Sequence, residues 1–219
     1  MMIRGAIFDA DGTLLDSMGM WEDMGERYLL SLGKTPRPDL REAIFHLSQA
    51  ECADYLQRVY RVERTHDEIE DDIRGMIRGF YRHEVTAKAG AADFLRGLRD
   101  RGVKLALATA TDRSVILEGL AHVGLLPLLD VVLTCGDLGV NKSTPAIYDA
   151  ARDALGTRTE ETWVFEDAVH AATTAHRAGY PVAGVYDRFS DQEALKAVST
   201  LYLPDLTDLP GFCAAVGDR

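Results

Sequence analysis

The stretch Asp9-Ala10-Asp11-Gly12-Thr13-Leu14 follows a short apolar run from Ile3 to Phe8, and its reading decides the fold. The run reads as a strand, and the carboxyl end of a strand is where an open α/β sheet carries its chemistry. Side chains alternate along extended backbone, so Asp9 and Asp11 are expected to face one pocket while Gly12 permits a tight turn. Two close carboxylates repel each other, and a divalent metal between them is the usual remedy.

Beyond this stretch the periodicity turns helical and stays so until about Tyr81. Trp21, Met24 and Tyr28 mark one apolar face ending at Gly33, and Pro36 with Pro38 interrupts the chain. Ser48 and Glu51 have capping-box spacing ahead of Cys52, Tyr55, Leu56 and Val59, and Thr65 with Glu68 repeats the signal ahead of Ile69, Ile73, Met76, Ile77 and Phe80. These faces predict a small helical bundle with its own core. Arg58, Arg61 and Arg64 fall among acidic neighbours and are expected to face solvent.

From Ala91 the pattern alternates helix and strand. A helix through Phe94, Leu95 and Leu98 leads to Gly102, and Val103 to Ala108 is the next strand; a helix carrying Ile116, Leu120 and Val123 precedes a strand at 131–134. Thr144 is expected to cap a helix with Pro145 at its first position and Gly156 just past its end. Strands at Trp163 to Phe165, at 182–185 and at 201–203 complete the series. Such alternation predicts an α/β fold, a Rossmann-like parallel sheet with helices on both faces. The first strand belongs to this sheet, so residues 1–16 and 88–219 are expected to form the core domain and residues 17–87 an inserted helical domain.

The 219 residues are ample for such a core, and a net charge of −11 argues against nucleic acid or an anionic membrane surface as the main partner. Cys52, Cys135 and Cys213 are far apart and in no metal-ligand spacing, which suits a reducing compartment. The chain enters a strand almost at once, with no charged leader and no apolar run of membrane-spanning length, so a cytoplasmic location is the expectation.

Four polar clusters follow apolar strands: Asp9 with Asp11, Thr109-Ala110-Thr111-Asp112, Asn141-Lys142-Ser143, and Glu166-Asp167. In a parallel sheet those carboxyl ends share one edge, so the clusters converge on one crevice. With these residues the chain resembles the haloacid dehalogenase superfamily of hydrolases, in the capped branch of the phosphoglycolate phosphatases and beta-phosphoglucomutases. Asp9 to Thr13 matches the first family motif, Thr109 the second, Lys142 with Pro145 the third, and Val164 to Asp167 with Ala178-Gly179 the fourth. The resemblance spans essentially the whole chain and is weakest in the helical insertion, the cap of that family.

The resemblance implies that Asp9 attacks phosphorus to form an aspartyl phosphate, and that Asp11 first protonates the leaving alkoxide and then activates water. It implies Mg²⁺ held by the Asp9 carboxylate, the Asp11 main-chain carbonyl, Asp167 and, directly or through water, Glu166. Thr109 and the Ala110 amide are implied to bind the transferring phosphate together with Lys142. Asn141, Ser143, Ala146, Ala168 and Ala171 depart from the family pattern, and Ala168 removes a hydroxyl expected to support Asp167. His170 reads as a surface residue, and His46, His66, His83, His122 and His176 make no ligand pattern.

The reading is therefore a Mg²⁺-dependent phosphatase acting on a small phosphorylated metabolite. A phosphomutase of the beta-phosphoglucomutase type is the alternative, but the stretch His46-Leu47-Ser48-Gln49-Ala50-Glu51 contains no Arg or Lys for a second phosphate. A dehalogenase has no need of an acid at Asp11, and a receiver-like phospho-acceptor module carries no helical insertion.

Overall fold

A computed structural model describes residues 3–44 and 47–217. The strands are β1 (Gly5–Phe8), β2 (Leu15–Asp16), β3 (Thr86–Ala87), β4 (Lys104–Thr109), β5 (Val131–Thr134), β6 (Thr162–Glu166), β7 (Val182–Val185) and β8 (Leu201–Leu203). The α-helices are α1 (Met18–Ser31), α2 (Leu40–Ile44), α3 (Gln49–Tyr60), α4 (His66–His83), α5 (Ala91–Asp100), α6 (Arg113–His122), α7 (Cys135–Leu138), α8 (Ala146–Leu155), α9 (Val169–Arg177), α10 (Gln192–Val198) and α11 (Leu209–Ala215). None of the described helices is long and apolar enough to cross a membrane.

The chain divides into two compact units, one comprising Met1–Met18 with Val85–Arg219 and the other Gly19–Glu84. In the first, six strands form one sheet in the order β5-β4-β1-β6-β7-β8, every neighbouring pair parallel. The order reverses direction at β1, where an open sheet of this kind places its crevice. Adjacent strand residues serve opposite faces. Ile7 and Val164 pack with Ile147, Tyr148 and Ala151 of α8 and with Ala172 and Ala175 of α9. Phe8 and Phe165 point the other way, stacked with centroids 4.2 Å apart, and Phe94 of α5 and Phe212 of α11 pack on Phe165 at 5.6 and 5.3 Å. Burial of each such ring contributes roughly 1.5–3 kcal/mol, so β1 and β6 are clamped from both sides just where they deliver the polar clusters.

In the second unit Tyr28, Leu29, Leu40, Ala53, Leu56, Val62 and Ile69 share a separate core. Both capping boxes form. Glu51 N–H donates to Ser48 Oγ at 3.3 Å while Ser48 N–H donates to Glu51 Oε2 at 2.8 Å, and Thr65 with Glu68 repeats the exchange at 3.3 and 2.7 Å. Arg61 closes α3 in the left-handed region at φ 52°, and Arg58, Arg61 and Arg64 are all exposed. The helical periodicity overstates α1, since Tyr28 is fully buried but Trp21 remains 40% exposed, its indole N–H donating to Tyr81 Oη at 3.2 Å.

Three details of the core unit differ from the sequence reading. Asn141-Lys142-Ser143 does not follow directly on a strand, because α7 stands between β5 and this cluster. Thr109 and Glu166 are the last residues of β4 and β6 rather than the first residues beyond them, because their backbones still pair with Thr134 and Gly184. Pro145, not Thr144, is the N-cap of α8; the Thr144 hydroxyl instead donates to Asn141 O at 3.3 Å.

Candidate active site

The first cluster is held by backbone before any side chain acts. Asp9 N–H donates to Phe165 O at 2.9 Å, extending the ladder one residue past β1. The chain then turns tightly, with Gly12 N–H on Leu15 O at 2.9 Å and Leu15 N–H on Ala10 O at 2.8 Å. Gly12 has φ 83°, and a Cβ there would stand 2.3 Å from Asp167 Oδ2, so position 12 excludes any side chain for two independent reasons.

Onto this turn the ends of β4 and β6 and the loop before α8 bring their polar residues. Lys142 Nζ donates to Asp9 Oδ1 at 2.5 Å and to Glu166 Oε1 at 2.6 Å, and all three groups are buried. Tyr148 of α8 donates its hydroxyl to Glu166 Oε1 at 2.9 Å. Asp167 Oδ1 accepts from Thr13 Oγ1 at 3.2 Å and its Oδ2 from Ser190 Oγ at 3.1 Å. Asp9, Glu166 and Asp167 each offer an oxygen within 4.8 Å of the others. The Asp11 carboxylate is engaged elsewhere: Oδ1 accepts from Ser17 Oγ and Oδ2 from Thr111 Oγ1, both at 2.6 Å. Thr109 is fully buried with its Oγ1 accepting from Thr111 N–H at 3.1 Å, and Ala110 is exposed.

Burial pushes the Asp9 carboxyl well above its usual range, against the pull of Lys142 and with Glu166 and Asp167 adding repulsion. Burial also pushes Asp167 up to about 7, helped by Glu166 and Asp187 and opposed by the Ser190 hydrogen bond. Desolvation works against the Lys142 ammonium, but the Asp9 and Glu166 carboxylates outweigh it and raise its pKa. The site is thus short of positive charge. With all three carboxyls ionised, one ammonium leaves two negative charges uncompensated, the complement of a divalent cation. Glu166 Oε2 is buried with no hydrogen-bond partner, and an all-oxygen donor set suits a hard ion. The residues present therefore fit a divalent metal.

The haloacid dehalogenase-like hydrolase family model matches residues 3–179. The chain belongs to this family. As a haloacid dehalogenase-like hydrolase it is 29% identical over 210 residues to the validoxylamine A 7'-phosphate phosphatase of Streptomyces hygroscopicus subsp. limoneus, covering 95% of this chain and 96% of that one. It is 29% identical over 202 residues to the pyrophosphatase PpaX of Bacillus pumilus, covering 88% of each. A phosphorylated carbohydrates phosphatase of Thermotoga maritima is 25% identical over 194 residues, 88% of this chain and 90% of the relative. In fold the hydrolase is similar to a candidate beta-phosphoglucomutase of Thermotoga maritima, with a TM-score of 0.86 at 24% identity over 98% of this chain and 100% of that one. CbbY of Rhodobacter sphaeroides gives 0.73 at 20% identity over 95% and 96%.

Several residues around this acidic cluster carried no role in the sequence reading. Thr13, Ser17, Thr111, Tyr148 and Ser190 each donate a hydroxyl to one of the acidic residues. Thr13 and Thr111 lie inside the matched motifs, but in a turn and a bend where strand alternation does not apply; Ser190 carries no local signal either. His170 is exposed, and no described histidine joins the acidic group. His46 lies outside the described residues.

Proposed function

We propose that this hydrolase is a Mg²⁺-dependent phosphatase that cleaves a small phosphorylated metabolite through an aspartyl phosphate on Asp9. The observation that carries the reading is the buried Asp9–Lys142–Glu166 arrangement beside Asp167, with Asp11 held apart on its own pair of hydroxyls. It separates the two roles the chemistry needs, a fixed nucleophile and an independent proton carrier. The relatives named as phosphatases of sugar-like phosphates and of pyrophosphate support the substrate class.

In the first step an Asp9 carboxylate oxygen bonds to phosphorus as the ester P–O bond breaks, and the departing alkoxide takes a proton from Asp11. In the second, Asp11 removes a proton from water as its oxygen attacks phosphorus, and the P–O bond to Asp9 breaks to restore the carboxylate and release phosphate. A placed proton donor is worth ~10²–10⁴-fold for a poor leaving group, and the covalent route divides one difficult displacement into two easier ones. Lys142, the Thr109 hydroxyl and the Ala110 amide serve as donors to the phosphoryl oxygens. Asp9, Glu166, Asp167 and the Asp11 main-chain carbonyl would hold Mg²⁺, whose charge offsets repulsion between the anionic nucleophile and the anionic phosphate.

A phosphomutase shares all of these residues. Among Leu47, Ser48, Ala50 and Glu51 there is no cation to grip a second phosphate, which favours transfer to water. The test is a screen of aryl phosphate, sugar phosphates, phosphoglycolate, nucleotides and pyrophosphate with and without Mg²⁺. Release of inorganic phosphate that needs Mg²⁺ is expected; isomerisation of a sugar phosphate without phosphate release would overturn the phosphatase reading.

A further inference from the structure

Asp167 stands between β6 and α9, and Ala168, the N-cap of α9, has no hydroxyl to offer it. Its carboxylate is held from two other parts of the chain, by Thr13 and by Ser190. Both donors lead back to one residue, Lys88, just after β3. The Lys88 main-chain N–H donates to Leu14 O at 2.9 Å, beside Thr13. The Lys88 ammonium donates to Asp187 Oδ2 at 2.8 Å and to Tyr186 O at 2.9 Å, on the loop that carries Ser190.

Asp187 organises that loop. Its side chain is only 2% exposed. Oδ1 accepts from Phe189 N–H at 3.0 Å, and its main-chain carbonyl accepts from Ser190 N–H at 3.1 Å and from the Gln192 amide at 2.5 Å. A carboxylate this far from water requires a charged partner, and Lys88, itself 16% exposed, is that partner. The ion pair thus fixes the loop whose hydroxyl ends on Asp167, while the backbone of the same lysine fixes the turn carrying the opposing hydroxyl.

We propose that Ser190, with the Lys88–Asp187 pair that places it, is a positioning element for Asp167 and sets the affinity of the site for its divalent cation. The inference rests on reading Asp167 as a cation ligand. Donors that hold a ligating carboxylate in one orientation are worth roughly 10–100-fold in metal affinity. A purely structural role for the loop would instead lower the melting temperature of the metal-free protein and leave its affinity for metal unchanged.

The test is calorimetric titration of the full chain with Mg²⁺ in the absence of substrate, beside aryl phosphate hydrolysis by the wild type. Ser190→Ala is expected to raise the Mg²⁺ Kd about 10-fold, and Ser190→Thr, which keeps the hydroxyl, to stay within about 3-fold of wild type. Lys88→Met is expected to weaken Mg²⁺ in the same direction and Lys88→Arg to recover most of the loss. If Lys88→Met does not fold, the Ser190 pair decides alone. A folded Ser190→Ala protein with wild-type Kd, in a chain whose wild type binds Mg²⁺ and hydrolyses aryl phosphate, overturns this inference and leaves the phosphatase reading standing. A wild type that neither binds Mg²⁺ nor hydrolyses aryl phosphate in its presence overturns both.

Discussion

The Lys142 ammonium lies 2.5 Å from Asp9 Oδ1, and the two side chains are 7% and 10% exposed. The same ammonium reaches Glu166, so one buried cation restrains two of the three clustered acids. Lys142→Met removes this cation and leaves Asp9 and Glu166 to repel each other. Turnover of aryl phosphate is expected to fall by at least ~10²-fold, the scale of losing one charged donor at the reacting phosphate. Activity within about threefold of wild type, in a folded variant, would remove Lys142 from the chemistry.

Asp9 and Asp11 differ in what surrounds them, and their variants should differ in what they lose. Asp9→Asn is expected to abolish turnover of every substrate together with any trappable phosphoenzyme, because an amide oxygen is no nucleophile for phosphorus. Asp11→Asn is expected to cost an alkyl phosphate ~10²–10⁴-fold and an aryl phosphate less, since an aryl oxide departs with less need of a proton. Rapid-quench measurement of the first turnover compares the two without interference from the second step. Equal losses on both substrates in that measurement would count against Asp11 as the acid.

The hydroxyls of Ser17 and Thr111 hold the Asp11 carboxylate, one on each oxygen. Thr111→Val keeps the shape and removes one of them. A fall in kcat of roughly 10-fold on alkyl phosphate is expected, with a smaller fall on aryl phosphate and with Thr111→Ser close to wild type. A loss shared equally by the two substrates would mean that Thr111 serves folding or phosphate binding instead.

Much of the fold was legible because its strands are short continuous apolar runs bounded by polar or turn residues. Val131–Thr134, Val182–Val185 and Leu201–Leu203 have the bounds that the sequence pattern predicts. The β2–β3 pair was not legible, since two residues a side carry no period, nor was α7, a single turn from Cys135 to Leu138. Asp9, Glu166 and Asp167 stand out because each falls beside or at the end of an apolar run, whereas Lys142 lies beyond α7, away from any strand end, and only the third family motif marks it. Tyr148 and Ser190 reach those acids across 18 and 23 residues through hydrogen bonds that only the folded chain creates. Ala168 predicts a missing support for Asp167, and the structure supplies hydroxyls from Thr13 and Ser190 that no local spacing announces.

The helical unit offers a separate test, in stability rather than activity. Ser48 and Thr65 each satisfy an otherwise unpaired N–H at the start of α3 and α4, and Glu51 and Glu68 return the favour to the cap residues. Ser48→Ala and Thr65→Ala are each expected to destabilise the protein by ~1 kcal/mol, measured by urea unfolding at neutral pH. The hydrogen bonds from Ser48 hold the Glu51 carboxyl below its ordinary 4.5, and those from Thr65 do the same for Glu68. A carboxyl lowered in the folded state contributes stability that is fully present above its unfolded value and is lost as pH falls through its folded value. The gap between wild type and Ser48→Ala should therefore be constant above pH 4.5 and narrow below it. A gap that widens on acidification would show that the box is not what holds the first turn of α3.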